Sequence, residues 1–161
     1  MPGVYLMSRK WSVTDRFTIA DEAGVPQFEV QGGFGLTQRQ SFRDTSGTEV
    51  AVISQRAFSS RYEIQAGGVH ATVSPRGLFG KYFEIDSSAG QLEARGNFSG
   101  RSFAVVRGGR TAATVSQQRV LREEFAIKVA DGEDPVFMLA VVLVIETIKA
   151  RRRAAAASGG M

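Results

Sequence analysis

Apolar and polar positions alternate along this chain in short runs, each broken by a polar turn that contains glycine. Phe17-Thr-Ile-Ala-Asp-Glu-Ala-Gly24 leads to the run 27–31, and Ser41-Phe-Arg-Asp-Thr-Ser-Gly47 leads to 49–53. The same design recurs at 62–73, at 83–95 and at 103–115, and a sixth copy opens as Phe125-Ala-Ile-Lys-Val-Ala-Asp-Gly132. The equivalent apolar positions are Ile19, Phe42, Ile64, Ile85, Val105 and Ile127, spaced by 23, 22, 21, 20 and 22 residues. A period of about 20–25 residues marks a repeated supersecondary unit. Alternation with period two makes each unit a pair of strands. The Asp-x-x-Gly and Gly-Gly turns supply residues that accept positive φ, as tight hairpins require. With Val4-Tyr-Leu-Met7 as an opening strand, the pattern predicts twelve strands.

After the sixth run the pattern changes. Asp134 followed by Pro135 is a helix start, an N-cap residue and then proline at the first helical position. Val136 to Ile145 are all apolar, with no polar face. A surface helix shows an apolar stripe, whereas a helix that is apolar all round is buried on every side. Twelve antiparallel strands leave exposed edges unless the sheet closes, and a closed barrel of that size encloses more space than its own side chains fill. The expected fold is therefore all-β with one helix: a twelve-stranded antiparallel closed barrel around a central hydrophobic C-terminal α-helix over about residues 134–153. A two-sheet sandwich with the helix on one side is the alternative, disfavoured by the missing polar face. Residues 1–153 are expected to form one domain. Residues 154–161 read as a disordered tail whose four alanines extend the helix by about a turn. Gly32 and Gly33 are expected to relieve crowding at a barrel corner.

Composition narrows the chemistry. The 161 residues suit one domain with one core. There is no cysteine, hence no disulfide and no thiolate ligand, as fits a reducing cytosol. The order of charge and hydrophobicity in residues 1–10 is wrong for a secretory signal. The apolar run is shorter than the roughly 20 residues a bilayer span needs. The expected location is cytoplasmic, peripheral at a membrane.

Several of these pieces together resemble a known family. Tyr5-Leu-Met7, the Phe17-x-Ile-x-Asp-x-x-Gly24 hairpin, Phe103 to Val115 with its Arg-Gly-Gly-Arg turn, and Glu133-Asp-Pro-Val-Phe-Met-Leu-Ala-Val-Val-Leu-Val-Ile145 are similar to the LURP-one-related family of the tubby C-terminal-like superfamily. The likeness covers nearly the whole chain to about residue 150. It implies a twelve-stranded barrel around a hydrophobic helix, and kinship with phosphoinositide-binding tubby domains and phospholipid scramblases. The tubby lipid-site motif has no match here, so the resemblance assigns no binding residue.

Catalytic groups are sparse. His70 is the only histidine; triad catalysis needs such a base beside a nucleophile, and a zinc site needs several His or Cys ligands, which are missing. His70 reads as a structural residue. Asp131-Gly-Glu-Asp134 is the densest acidic cluster, but acids belong at a helix start and the loop is too short for an EF-hand. No phosphate-loop or dinucleotide motif is present. The protein is expected to be no enzyme, with no cofactor and no metal site.

Charge gains meaning once the topology is drawn. Hairpin turns fall at one end of an up-and-down barrel and inter-hairpin segments at the other. The turn end collects Asp21, Glu22, Asp44, Asp86, Asp131, Glu133 and Asp134. The loop end collects Arg9, Lys10, Arg39, Arg56, Arg61, Arg76, Lys81, Arg101, Arg119 and Arg122. The helix must return to that end, bringing Lys149 and Arg151, Arg152 and Arg153. Apolar residues Trp11, Phe34, Leu36, Phe58, Leu78, Phe79, Phe98 and Leu121 fall in the same segments. The split is imperfect, since Arg107 and Arg110 lie at the turn end and Asp15, Glu123 and Glu124 at the loop end.

The functional expectation is a non-enzymatic binding module whose basic pole docks on anionic phospholipid headgroups through Arg9, Lys10, Arg56, Arg61, Arg76, Lys81, Arg151, Arg152 and Arg153. The alternative is a protein-interaction or structural scaffold without lipid binding, its charges complementing the helix dipole. Nucleic acid is not an expected partner, because basic residues are scattered over loops without aromatics stacked on a sheet face.

Overall fold

A computed structural model describes residues 3–8, 16–32, 39–55, 61–77, 82–97, 102–119 and 124–159. The strands are β1 (Gly3–Ser8), β2 (Arg16–Asp21), β3 (Pro26–Gly32), β4 (Arg39–Asp44), β5 (Glu49–Gln55) and β6 (Tyr62–Ala66). They continue as β7 (Val69–Arg76), β8 (Tyr82–Ser87), β9 (Gly90–Asn97), β10 (Ser102–Arg107), β11 (Arg110–Arg119) and β12 (Glu124–Val129). One helix, α1 (Pro135–Gly159), follows. Each strand pairs antiparallel with its neighbours in sequence, and β1 pairs with β12 from Gly3↔Val129 to Ser8↔Glu124. The sheet is thus a closed barrel. Closure leaves no strand edge unpaired, which disposes of the sandwich alternative.

Alternation sets which side chains enter the barrel. In β6, Tyr62, Ile64 and Ala66 are buried while Glu63 and Gln65 are exposed. Phe125, Ile127 and Val129 do the same in β12. The inward residues meet α1, which lies closest to β5 and β6 and also touches β7, β11 and β12. Every residue from Phe137 to Ile145 is buried, so the helix is covered on all sides as its composition requires.

The hairpin turns repeat one geometry. In the β2–β3 turn, Asp21 Oδ1 accepts from the amides of Ala23 and Val25, both at 2.9 Å. In the β4–β5 turn, Asp44 Oδ1 accepts from the amides of Ser46 and Thr48, both at 3.0 Å. Gly24 (φ 84°) and Gly47 (φ 86°) then close the two turns in the left-handed region. Close packing accounts for glycine elsewhere. A Cβ on Gly96 (φ 150°) would lie 2.6 Å from Phe103 Cα on the paired strand. One on Gly32 would run into the Gln40 side chain opposite, which fits the expected crowding at that corner. Gly33 lies outside the described residues.

At its start the helix is held firmly. Asp134 Oδ1 accepts from the Val136 amide at 3.0 Å, and Pro135 occupies the first helical position. Arg107, the last residue of β10, donates from Nε and Nη2 to the two Glu133 carboxylate oxygens at 2.9 and 3.1 Å. Its Nη1 donates to the Ala89 carbonyl in the β8–β9 turn. One guanidinium therefore ties the helix entry to a neighbouring hairpin with charge-assisted bonds.

Two sequence boundaries shift at the far end. Burial continues past Ile145 through Glu146, Thr147, Ile148 and Lys149. The helix also runs to Gly159, through the alanines and into the segment that read as a tail. Alanine is the strongest helix former, and it continues a helix already started inside the barrel.

Leu139 is fully buried on the helix. Leu139→Ala is expected to destabilise the protein by about 2–5 kcal/mol, the usual range for a core leucine that leaves a cavity. Urea denaturation with an unchanged m-value checks this.

Candidate functional site

The topology separates two poles. Strand β12 runs towards the hairpin-turn end, and α1 turns back from there. The segments 9–15, 33–38, 56–60, 78–81, 98–101 and 120–123, which follow in sequence the strands that end at the opposite pole, lie outside the described residues. Arg9, Lys10, Arg56, Lys81, Arg101 and Arg122 fall in them, as do Trp11, Phe34, Leu36, Phe58, Leu78, Phe79, Phe98 and Leu121. Arg151, Arg152 and Arg153 lie on the helical backbone of α1 beyond its last buried residue, their side chains outside the description.

Two of the expected headgroup residues have described side chains. Arg61 is exposed just before β6, and this residue also has an interaction partner within the protein. Arg76 ends β7 and is about half exposed, its Nε 2.8 Å from Glu84 Oε2. The other Glu84 oxygen accepts from Gln91 at 2.8 Å. Arg39, also assigned to this pole, lies 3.6 Å from Glu49. Exposed pairs of this kind contribute at most about 1 kcal/mol and dissociate readily, but while formed each offsets the arginine's positive charge with its partner's negative one.

Lys149 departs from expectation. It is not free at the pole but buried, with Nζ 3.1 Å from Glu146 Oε1 one helical turn back. The ammonium also lies 5.4 Å from the Phe103 ring centroid. Thr147 is buried with it and donates to the Leu143 carbonyl at 2.8 Å. Mutual neutralisation lets these polar residues continue the core where the apolar run stops.

The acids of the turn end are largely spent on structure. Asp21 and Asp44 close turns, Asp134 caps α1 and Glu133 clamps Arg107. The Ser46 hydroxyl foremost, with the backbone amides of the turn, holds the Asp44 carboxyl below its ordinary range. Burial, followed by the charges of Asp134 and Asp21, pushes the Tyr5 phenol up, so it stays protonated beside them. Asp131 and Asp134 do not assemble a metal site. Among the described residues no group of three or more His, Asp or Glu side chains could hold a metal ion. His70 is exposed on the outer wall, and its ring partner is Gln65, 3.0 Å away. Among those same residues no helix is long and apolar enough to cross a bilayer.

The architecture and its arrangement agree with the comparisons. The family model described as LURP-one-related matches residues 4–146, most of the chain. The chain belongs to the LURP-one-related family. An X-ray structure of a protein from Arabidopsis thaliana shares this family chain's fold, with a TM-score of 0.71 over 91% of both chains. At 20% identity that likeness speaks for the fold alone. No curated protein matches the sequence.

The buried Glu146–Lys149 pair was not legible as a pair in the sequence, although the i, i+3 spacing is the signal that identifies it. Lys149→Met leaves Glu146 buried without its cation and is expected to cost about 3–5 kcal/mol. The double variant Glu146→Leu/Lys149→Met is expected to recover most of that loss. Urea denaturation of both variants checks the pairing.

Proposed function

We propose that this LURP-one-related barrel is a non-enzymatic module that docks on anionic phospholipid headgroups through its loop-end pole. The observation that carries the reading is the return of α1. Its C-terminal turns, with Arg151, Arg152 and Arg153, run to the end where the inter-hairpin segments carry Arg9, Lys10, Arg56 and Lys81. Arg61 and Arg76 flank the same end. Opposing ends of opposite charge favour one orientation of approach to an anionic surface. The kinship with phosphoinositide-binding tubby domains and phospholipid scramblases that the family resemblance implies points the same way.

Within this reading each residue has a simple role. The arginines supply charge and bidentate contacts to phosphate oxygens. Arg76 engages by exchanging Glu84 for phosphate. The apolar residues of the joining segments supply insertion energy at the headgroup boundary. No group in the reading performs bond chemistry. The protein is expected at the cytoplasmic face of a membrane, where anionic lipid is concentrated.

Sedimentation with liposomes tests this. Binding is expected to phosphatidylserine-containing vesicles but not to neutral ones, and is expected to fall as salt screens the charges. Arg151→Ala/Arg152→Ala/Arg153→Ala should weaken it by about 100-fold, taking on the order of 1 kcal/mol for each residue near the leaflet. Equal binding to neutral vesicles, or none to either, contradicts the reading.

A further inference from the structure

Five apolar residues pack against the core yet are only partly buried: Tyr5, Phe28, Val50, Val69 and Val136. All of them lie at the hairpin-turn end. Tyr5 is opposite Asp21, the last residue of β2, and Phe28 is opposite Asp44, the last residue of β4. Val50 and Val69 stand at the starts of β5 and β7, and Val136 is in the first turn of α1. Val25, in the β2–β3 turn, is 53% exposed, the most of any large apolar residue described. Scattered singly, such residues need no explanation. These six share one half of one mouth, from β1 to β7. The other half is bridged by Arg107, which reaches from β10 to Glu133 and to the Ala89 carbonyl.

The apolar half is also indented. A groove of about 570 Å³ runs over the rim among Val50, Val52, Gly67, Asp134 and Val136. Its apolar sides are β-branched valines, which have little rotamer freedom with which to fill it. On the side of the β6–β7 turn Gly67 leaves it open, since nothing lies within 4 Å of where its Cβ would stand.

Charge on this half is negative and is not cancelled within the fold. Asp21, Asp44 and Asp134 close turns and cap the helix by accepting from neutral amides, which leaves their charge in place. Glu22 is exposed in the β2–β3 turn. Among the described residues none of these four carboxylates forms an ion pair. One cation stands close, Arg43, with Nη1 3.4 Å from the Gly47 carbonyl. Four carboxylates outweigh that single guanidinium.

An apolar groove with an acidic rim excludes two partners. An anionic surface is repelled, and a purely apolar one would desolvate the carboxylates without a counter-charge. Apolar side chains flanked by cations satisfy both demands. The spacing suits a helix. Val25 and Val50 adjoin the starts of β3 and β5, two strand spacings or about 10 Å apart. Residues i and i+7 on one face of a helix are separated by about 10.5 Å.

We propose that this half-mouth docks a basic amphipathic helix of a protein partner. The helix sets its apolar face against Val25, Val50 and Val136, and its lysines or arginines face Asp21, Glu22, Asp44 and Asp134. The site is at the opposite pole from the lipid-docking arginines and prefers the opposite charge, so it is independent of that reading. With both poles occupied, the barrel bridges a membrane and a protein.

Amide NMR of the full chain tests this, with a helical peptide of leucine and lysine, about 14 residues long and apolar at i, i+3, i+4 and i+7, as probe. The same peptide with glutamate in place of lysine is the control at equal ionic strength. The lysine peptide should give saturable shifts at Val25, Gly47, Val50, Gly67 and Val136, and the glutamate peptide should bind at least about tenfold more weakly. Glu22→Lys/Val25→Ser alters two exposed turn side chains, keeps the Asp21 bonds and Gly24, and should weaken the lysine peptide by about tenfold. Arg151→Ala/Arg152→Ala/Arg153→Ala, which tests lipid docking, should leave its affinity within about twofold. No saturable shift up to about 1 mM peptide, shifts confined to other parts of the barrel, equal binding of the two peptides, or an unchanged affinity in Glu22→Lys/Val25→Ser would overturn the proposal.

Discussion

An α-helix without a polar face cannot rest on a surface, and most of this structure follows from that constraint. Phe137 to Ile145 must be covered from every direction. A single flat sheet covers one side of a helix, whereas twelve strands closed on themselves cover all of them. The same closure solves a second problem, because β1 and β12 satisfy each other's backbone groups where an open sheet would leave edges. Helix and barrel are each incomplete alone. The barrel without α1 would enclose an empty apolar cavity, and α1 without the barrel would expose a continuous apolar cylinder.

The polar residues near the two mouths divide along the same axis. At the turn end, acids cap the helix, close hairpins and receive Arg107, so their abundance there is a consequence of how the chain turns. Near the other mouth, the described charges meet in pairs: Arg76 with Glu84, and, inside the barrel, Lys149 with Glu146. Ionic contacts at each end hold the helix and hairpins in place.

The fold was legible because its two signals have different periods. Strand alternation and a repeat of 20–23 residues run from Ile19 to Ile127, and an unbroken apolar run replaces them after Asp134. The charge pairing was less legible. Glu84 reaches Arg76 across the β7–β8 ladder, where only the register decides which side chains meet. Lys149 reads as one of a run of basic residues with Arg151–Arg153, yet the helix still lies inside the barrel at that point.

The mutual dependence of helix and barrel is tested most directly by native-state hydrogen exchange. If each is incomplete alone, the amides of Leu139 to Ile145 and those of the core strands exchange through one opening, with a free energy equal to that of global unfolding in urea. Exchange of the helix amides through a smaller opening, with the strands still protected, would mean that the barrel stands without its helix and would contradict this account.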